Sequence, residues 1–116
     1  MKDANCLFCK FVSGEIKADF VHETDSVLAF RDINPQAPTH ILIIPRKHIP
    51  TINDLQDDDS GVLGQMFAAA RDIARKEGID EAGFRMTMNC NKAAGQTVFH
   101  LHLHLLGGRN FAWPPG

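Results

Sequence analysis

Three histidines alternate with leucines near the end of the chain, and their side chains are the ones best suited to chemistry. Residues 98–106 read Val-Phe-His-Leu-His-Leu-His-Leu-Leu. In an extended strand successive side chains point to opposite faces, so His100, His102 and His104 share one face and the leucines share the other. A neutral imidazole, with an ordinary pKa of about 6.5, is a competent nucleophile at neutral pH. The pattern predicts a strand with a core face and a histidine face.

The spacing of the histidines limits the chemistry they can do. The outer two rings are about 13 Å apart along an extended strand, so one metal ion cannot bind all three. We expect one ring to act as the nucleophile and its neighbours to position it and to stabilise charge on oxygen. A solvated strand face that contains histidines by chance is the alternative.

The residues that lead into the histidine segment are suited to phosphate oxygens. Gly95, Gln96 and Thr97 offer a backbone without a Cβ, an amide and a hydroxyl, and Asn89 ends the preceding predicted strand. Such donors can hold a phosphate without Lys, Arg or Mg²⁺, although Gly95 and Asn89 are also ordinary turn residues. The sequence contains no P-loop motif and no Gly-x-Gly-x-x-Gly motif, which excludes P-loop and Rossmann sites.

The elements around this segment are typical of an α+β domain. We predict a short helix over 6–12 that ends at Ser13-Gly14, and a long helix over 57–76 that ends at Gly78. The predicted strands are 20–23, 27–31, 40–44, 84–89 and 98–106. One long helix between three strands and two strands favours a single domain over 1–116 with a mainly antiparallel, five-stranded sheet. Two helices cannot cover both faces of that sheet, so we expect a homodimer.

Composition narrows the class of protein further. The chain has 116 residues, a formal net charge of −2 and 44% hydrophobic residues, as in an ordinary soluble domain. The charge offers no basic surface for nucleic acid or an acidic membrane. The apolar runs are too short to span a bilayer, and the first residues carry no apolar signal-peptide core. We therefore expect a cytoplasmic protein whose three cysteines are not in disulfides.

Residues 96–106 resemble the signature of the histidine triad (HIT) family, in which three histidines alternate with apolar residues. The likeness continues through residues 29–40 and 44–49. The ending, with Gly107-Gly108-Arg109 and Trp113-Pro114-Pro115-Gly116, resembles the Hint (histidine triad nucleotide-binding) branch. The branch that cleaves dinucleoside polyphosphates lacks that ending. The resemblance implies the HIT fold and a homodimeric phosphoramidase that cleaves the P–N bond of purine nucleoside 5′-phosphoramidates.

The same resemblance implies roles for individual residues. His102 matches the nucleophile that forms a covalent nucleotidyl-histidine, and His104 matches the residue that contacts phosphate and assists the leaving group. The His100 carbonyl would accept a hydrogen bond from Nδ1–H of His102. The other matches form the nucleotide site: Asp32 and Ile33 at the ribose and base, His40 beside the triad, Asn89, Gly95, Gln96 and Thr97 around the phosphate, and Trp113 in a tail that shapes the neighbouring subunit's site.

Cys6 and Cys9 form a Cys-x-x-Cys pair, which by itself is half of a metal site, a redox pair or two small apolar side chains. His48 follows a strand that could bring it near His100, and two cysteines with two histidines make a closed zinc set. Some bacterial HIT proteins and the galactose-1-phosphate uridylyltransferases resemble this arrangement. We predict a structural zinc that ties the first helix to the sheet, and no catalytic metal. The third cysteine, Cys90, is predicted to lie in the core.

Other functions remain open from the sequence. A dinucleoside polyphosphate hydrolase or a nucleotidyl transferase would use the same histidine nucleophile. A binding module would use the nucleotide to control a protein partner, with incidental turnover. A zinc scaffold would give no reason for His102 and His104.

Overall fold

Helices and strands follow one another in the predicted order in the computed structural model, which describes residues 3–116. The elements are α1 (Leu7–Ser13), β1 (Phe20–Glu23), β2 (Val27–Arg31), β3 (Thr39–Pro45), α2 (Ser60–Glu77), β4 (Phe84–Thr87) and β5 (Leu103–Gly107). Short 3-10 helices lie at Ile52–Asp54, Asp57–Asp59 and Lys92–Ala94. Within the described residues no helix has both the length and the apolar character needed to cross a membrane.

The five strands form one sheet in the order β1-β2-β3-β5-β4, and every neighbouring pair is antiparallel. Strand β3 lies at the centre, and all its residues are buried. Its pairing with β5 places Leu42 opposite His104 and His40 opposite Leu106. The predicted α+β class, with an antiparallel five-stranded sheet, is confirmed.

The sheet separates two apolar clusters. Alternate residues of β3 serve the two sides, so that Ile41 and Ile43 pack with α2 while Leu42 and Ile44 pack with α1. Helix α2 contributes five buried residues to its cluster: Met66, Ala69, Ala70, Ile73 and Ala74. The smaller cluster under α1 is the one that borders the histidines.

Helix α2 begins later than the sequence predicts. Asp57–Asp59 form a 3-10 turn, and the α-helix begins at Ser60. The reason is the buried Asp59 carboxylate, which accepts hydrogen bonds from the Gln56 N–H at 2.9 Å and the Lys47 ammonium at 2.6 Å and so tightens this turn. The predicted end at Gly78 is confirmed, with a φ of 74° that suits glycine.

The two last strands are shorter than the predicted 84–89 and 98–106. Strand β4 ends at Thr87 and β5 begins at Leu103, because main-chain groups before β5 have partners outside the sheet. The Leu101 N–H donates to the Ile49 carbonyl at 2.7 Å, and the Val98 carbonyl accepts from the Gln96 amide at 3.1 Å. The alternation of side chains nevertheless continues through this irregular segment, and Leu101, Leu103 and Leu105 all lie in the α2 cluster.

Candidate active site and metal centre

The three histidines lie on the α1 side of the sheet at different depths. His100 is completely buried, His102 is 8% exposed and His104 is half-buried. The Phe8 ring stands edge-on to His100 and His102, with centroid distances of 5.9 and 5.3 Å. The rings of His102 and His104 are adjacent, with centroids 5.0 Å apart.

His102 is held by the main chain of His100. Its Nδ1 lies 2.7 Å from the His100 carbonyl oxygen, which can only accept. Nδ1 of His102 therefore carries the proton, and Nε2 keeps its lone pair. Burial lowers the pKa of His102, so the ring is neutral at pH 7. A fixed, neutral imidazole with a free Nε2 is equipped for nucleophilic attack.

His104 contacts a second buried histidine from β3. Nδ1 of His104 lies 2.9 Å from Nε2 of His40, and the Asp32 carboxylate lies 3.5 Å from the same Nε2. Burial, with smaller contributions from His102 and His40, lowers the pKa of His104 to about 4. Burial also lowers the pKa of His40, although Asp32 opposes the shift. His40 and His104 are therefore neutral at pH 7.

Asp32, His40 and His104 also form a group whose possible ligand atoms lie within 4.8 Å of one another. The His40–His104 distance of 2.9 Å is that of an ordinary hydrogen bond. The two imidazoles therefore bond to each other directly, and their contact requires no metal ion.

A cavity of about 250 Å³ opens beside His102 and His104. One wall is apolar and consists of Leu7, Phe8, Phe11, Ala18, Phe30, Leu42 and Val98. The other lining residues are Arg31, Asp32, Ile33, Thr97, His102 and His104. An apolar wall that faces a few polar groups suits a flat ring joined to a polar, charged part. The predicted site residues Asp32, Ile33 and Thr97 thus lie together with the two histidines, with Ile33 fully exposed at the mouth.

Gln96 does not face this cavity, contrary to the expectation that its amide holds phosphate. Its side chain is buried, accepts from the Asn91 N–H at 2.8 Å, and donates to the carbonyls of Pro50 and Val98. Its own N–H donates to the Asn91 carbonyl at 3.1 Å. Because these groups are occupied, Gln96 fastens the loop before the histidines and leaves no free donor for a ligand.

Asn89, Gly95 and Trp113 are not brought into the cavity wall within the described part of the chain. Gly95 ends the 3-10 helix Lys92–Ala94 with a φ of 85°. Trp113 is 82% exposed in the C-terminal segment. Their contact with a nucleotide stays a prediction.

The apolar wall that α1 contributes to the cavity was not predicted from the sequence. Leu7, Phe8 and Phe11 have the spacing of one helix face, which was the available signal. That signal could not show that this face would lie against His102, because the contact depends on how α1 packs on the sheet.

The predicted zinc ligands also come together: Cys6, Cys9, His48 and His100. Their ligand atoms all lie within 4.8 Å of one another. Nδ1 of His100 is 3.4 Å from the Cys6 Sγ and 3.5 Å from the Cys9 Sγ, and Nδ1 of His48 is 3.2 Å from both the Cys9 Sγ and the His100 Nδ1. A tetrahedral zinc ion requires separations of about 3.5 Å between S and N and about 3.3 Å between two N. The donor set therefore fits zinc.

Outer contacts orient both imidazoles of this centre. The Nε2 of His100 lies 2.8 Å from the Pro45 carbonyl, and the Nε2 of His48 lies 3.8 Å from the Asp3 carboxylate. The Pro45 carbonyl places the proton of His100 on Nε2 and leaves Nδ1 for a metal, and the nearby carboxylate favours the same proton position in His48. Burial raises the pKa of the Cys6 thiol, so the thiolate needs a cation beside it. Cys90, by contrast, is half-buried rather than a core residue.

A five-stranded antiparallel sheet, with three alternating histidines in β5 and the segment just before it and a cavity beside them, is typical of histidine triad domains. A model of the HIT domain matches residues 13–111, and the chain belongs to this family. It is 53% identical over 103 residues to the purine nucleoside phosphoramidase of Escherichia coli K12, covering 89% of this chain and 87% of that protein.

Solved structures show the same family. The chain superposes on a HIT family hydrolase from Legionella pneumophila with a TM-score of 0.94 at 58% identity, covering 97% of this chain and 100% of the other. A histidine triad nucleotide-binding protein from Candida albicans matches with a TM-score of 0.81 at 30% identity, covering 95% of this chain and 83% of the other.

Proposed function

We propose that this protein is a hydrolase that cleaves the P–N bond of purine nucleoside 5′-phosphoramidates. The observation that carries the proposal is the neutral His102, whose Nδ1–H is held by the His100 carbonyl and whose Nε2 lone pair is free beside a cavity. The 53% identity to a purine nucleoside phosphoramidase supports the substrate class.

The reaction has two steps. Nε2 of His102 attacks phosphorus, the new N–P bond forms, and the bond to the amine breaks while the amine takes a proton from water. Water then attacks the nucleotidyl-histidine, releases the nucleoside monophosphate, restores the imidazole and gives a proton to solvent. One water molecule is consumed overall, and the covalent intermediate divides one difficult displacement into two easier ones.

The cavity provides for each part of the substrate. The apolar wall around Phe30 and Leu42 accepts the purine ring, and the Asp32 carboxylate accepts hydrogen bonds from ribose hydroxyls. His104 and the Thr97 hydroxyl reach the phosphoryl oxygens. The neighbouring Arg31 forms an ion pair with Glu77 at 3.0 Å, and we assign the phosphate contacts to the neutral donors His104 and Thr97.

Zinc would be held by Cys6, Cys9, His48 and His100. It would supply a structural cross-link between the start of α1 and the segment that leads into β5. We propose that the protein acts in the cytoplasm, where reducing conditions keep both thiols available as ligands.

We also propose a homodimer that covers the part of the sheet left open by α1 and α2. Sedimentation at micromolar concentration tests this directly. A dimer has twice the chain mass of 12.9 kDa, and a species at the monomer mass contradicts the proposal.

The test of the activity is His102→Ala, assayed by release of amine and nucleoside monophosphate from adenosine 5′-phosphoramidate. We expect a loss of kcat on the order of 10⁴-fold, since removal of a nucleophile eliminates the covalent route. His22→Ala, in β1 and outside the cavity wall, is the matched control. Unchanged thermal unfolding shows that the fold survives, and retained turnover in His102→Ala ends the proposal.

Two further measurements separate the alternative functions. Mass spectrometry of protein quenched during turnover should find a nucleotide on His102, which a pure binding module would not form. Rates measured side by side on the phosphoramidate and on diadenosine tetraphosphate should favour the phosphoramidate; the opposite preference identifies a polyphosphate hydrolase.

A further inference from the structure

A main-chain N–H determines where His40 carries its proton. The Gln36 N–H donates to Nδ1 of His40 at 3.0 Å. Because an amide N–H can only donate, Nδ1 of His40 must be without a proton. The buried, neutral ring therefore carries its single proton on Nε2, and the Asp32 carboxylate 3.5 Å from that nitrogen favours the same position.

The proton position of His40 determines that of His104. Nε2 of His40 and Nδ1 of His104 are 2.9 Å apart, a distance that holds one proton between them. Since Nε2 of His40 already has that proton, Nδ1 of His104 is the acceptor. The reverse assignment would leave His40 without any proton, as an anion in a buried site. A doubly protonated His104 would instead set two N–H groups against each other.

The Gln36 N–H is itself held in place by the surrounding loop. Pro35 and Pro38 restrict the backbone on either side. The Gln36 carbonyl accepts from Nε of Arg109 at 3.0 Å. Gly108 packs so closely on this loop that an added Cβ would come within 2.9 Å of the Pro38 Cβ. The segment after β5 thus buttresses the loop that carries the donor.

We infer that the main chain of Gln36 acts as a positioning group that keeps the proton of His104 on Nε2, through His40. The chemical part of this inference rests on the proposed function, whereas the proton positions rest on the contacts alone. His102 and His104 then line the cavity as a complementary pair, a lone pair on Nε2 of one ring and an N–H on Nε2 of the other.

The arrangement makes His104 a neutral hydrogen-bond donor to the phosphoryl group or to the leaving nitrogen. The three hydrogen-bonded groups, the Gln36 N–H, His40 and His104, cannot relay protons to the site. If His40 passed its proton to His104, the Gln36 amide could not replace it. His104 therefore stabilises charge by donating a hydrogen bond and does not deliver a net proton, in accord with water as the source of the proton on the departing amine.

Nitrogen-15 NMR of the histidine side chains tests the proton positions in the full-length, wild-type protein at pH 7. We expect Nε2 protonated and Nδ1 unprotonated in both His40 and His104. A proton on Nδ1 of either ring overturns the inference, whether or not the protein hydrolyses phosphoramidates. The same spectrum with no detectable turnover would leave the proton assignment standing and refute the proposed function.

Two variants isolate the N–H itself. Gln36→Pro and Gln36→Ala both lose the side chain, but only Gln36→Pro loses the donor. With the donor gone, His40 can adopt the Nδ1–H form, and we expect the proton of His104 to move to Nδ1. In Gln36→Ala both proton positions should stay as in the wild type.

The kinetic comparison is the ratio of the two variants. We expect kcat of Gln36→Pro to be lower than that of Gln36→Ala by on the order of 100-fold, the effect of removing one preorganised donor, with little change in KM. Equal kcat values, or unchanged histidine protons in a folded Gln36→Pro, overturn the inference. If Gln36→Pro does not fold, the wild-type spectrum decides.

Discussion

His100 serves His102 through its main chain while its ring faces two thiols. The His100 carbonyl oxygen lies 2.7 Å from Nδ1 of His102, and the His100 Nδ1 lies 3.4 Å from the Cys6 Sγ. One residue thus joins the candidate metal centre to the candidate nucleophile. Phe8, whose ring contacts both histidines, gives the two sites a second connection through α1.

The candidate metal centre gives a prediction on zinc content and stability. Cys9→Ser should lose zinc and unfold more easily, because a metal that binds only the folded chain contributes about 2.7 kcal/mol at 100 times its Kd. Elemental analysis and urea unfolding measure the two effects. Cys90→Ser is the matched control, since Cys90 lies outside the cluster. A wild-type content below about 0.2 zinc per chain, after purification without chelator, contradicts the zinc proposal.

Replacement of the buried glutamine tests the loop before the histidines. Gln96→Leu should lower the free energy of unfolding by about 1–3 kcal/mol, because it leaves the Asn91 N–H and the carbonyls of Pro50 and Val98 without their partner. Gln65→Leu, on the exposed side of α2, loses one exposed hydrogen bond from the Ser26 hydroxyl and should change the free energy of unfolding by less than about 0.5 kcal/mol. Equal effects of the two variants in urea titrations would show that the buried Gln96 hydrogen bonds do not stabilise the protein more than an exposed side chain does.

A glycine that contacts the Gln36 loop provides a third test. Gly108→Ala should destabilise the protein by about 1–3 kcal/mol, because φ is 90° there and the new Cβ would press on Pro38. Gly64→Ala places the same methyl group in open space on α2 and should stabilise by about 0.5–1 kcal/mol. Thermal unfolding compares the two. A Gly108→Ala protein as stable as the wild type would mean that the loop yields easily.

The lowered pKa of His104 predicts a dependence of stability on pH. The unfolded chain takes up a proton on His104 below about pH 6.5, whereas the folded ring resists protonation until about pH 4. The unfolded state therefore binds more protons in this interval, and the contribution of His104 to stability, complete above pH 6.5, declines as the pH falls towards 4.

Comparison with a variant isolates this effect from other acid-sensitive groups. Urea unfolding should be measured for the wild type and His104→Gln between pH 7 and 4.5. As the pH falls, we expect the free energy of unfolding of the wild type to decrease relative to that of His104→Gln. The comparison is made at equal zinc content. A difference that stays constant with pH would show that His104 titrates alike in both states.

Much of the fold and part of the site follow from the sequence alone. The alternation of histidine and leucine over residues 100–105 is a local pattern, and it placed Leu101, Leu103 and Leu105 correctly in the core. The helix end at Gly78 is local in the same sense, because it depends on backbone conformation at one residue. The grouping of Cys6, Cys9, His48 and His100 was also predicted, from the Cys-x-x-Cys spacing and the strand before His48 together with a family resemblance.

Other features depended on contacts between residues far apart in the chain. The irregular path of residues 98–102 reflects hydrogen bonds to Ile49 and Gln96, and no periodicity in the segment reports them. The residue type of Gln96 likewise does not predict whether its amide binds a ligand or the main chain.

The histidines themselves show the division most clearly. Residue types and their spacing determined which rings share a face, because the geometry of an extended chain is local. Only the tertiary structure decided the partners of the two rings besides His102: a second histidine for His104, and a thiol pair for His100. Those partners decide where each proton resides, and they come from packing that brings distant segments within hydrogen-bond distance.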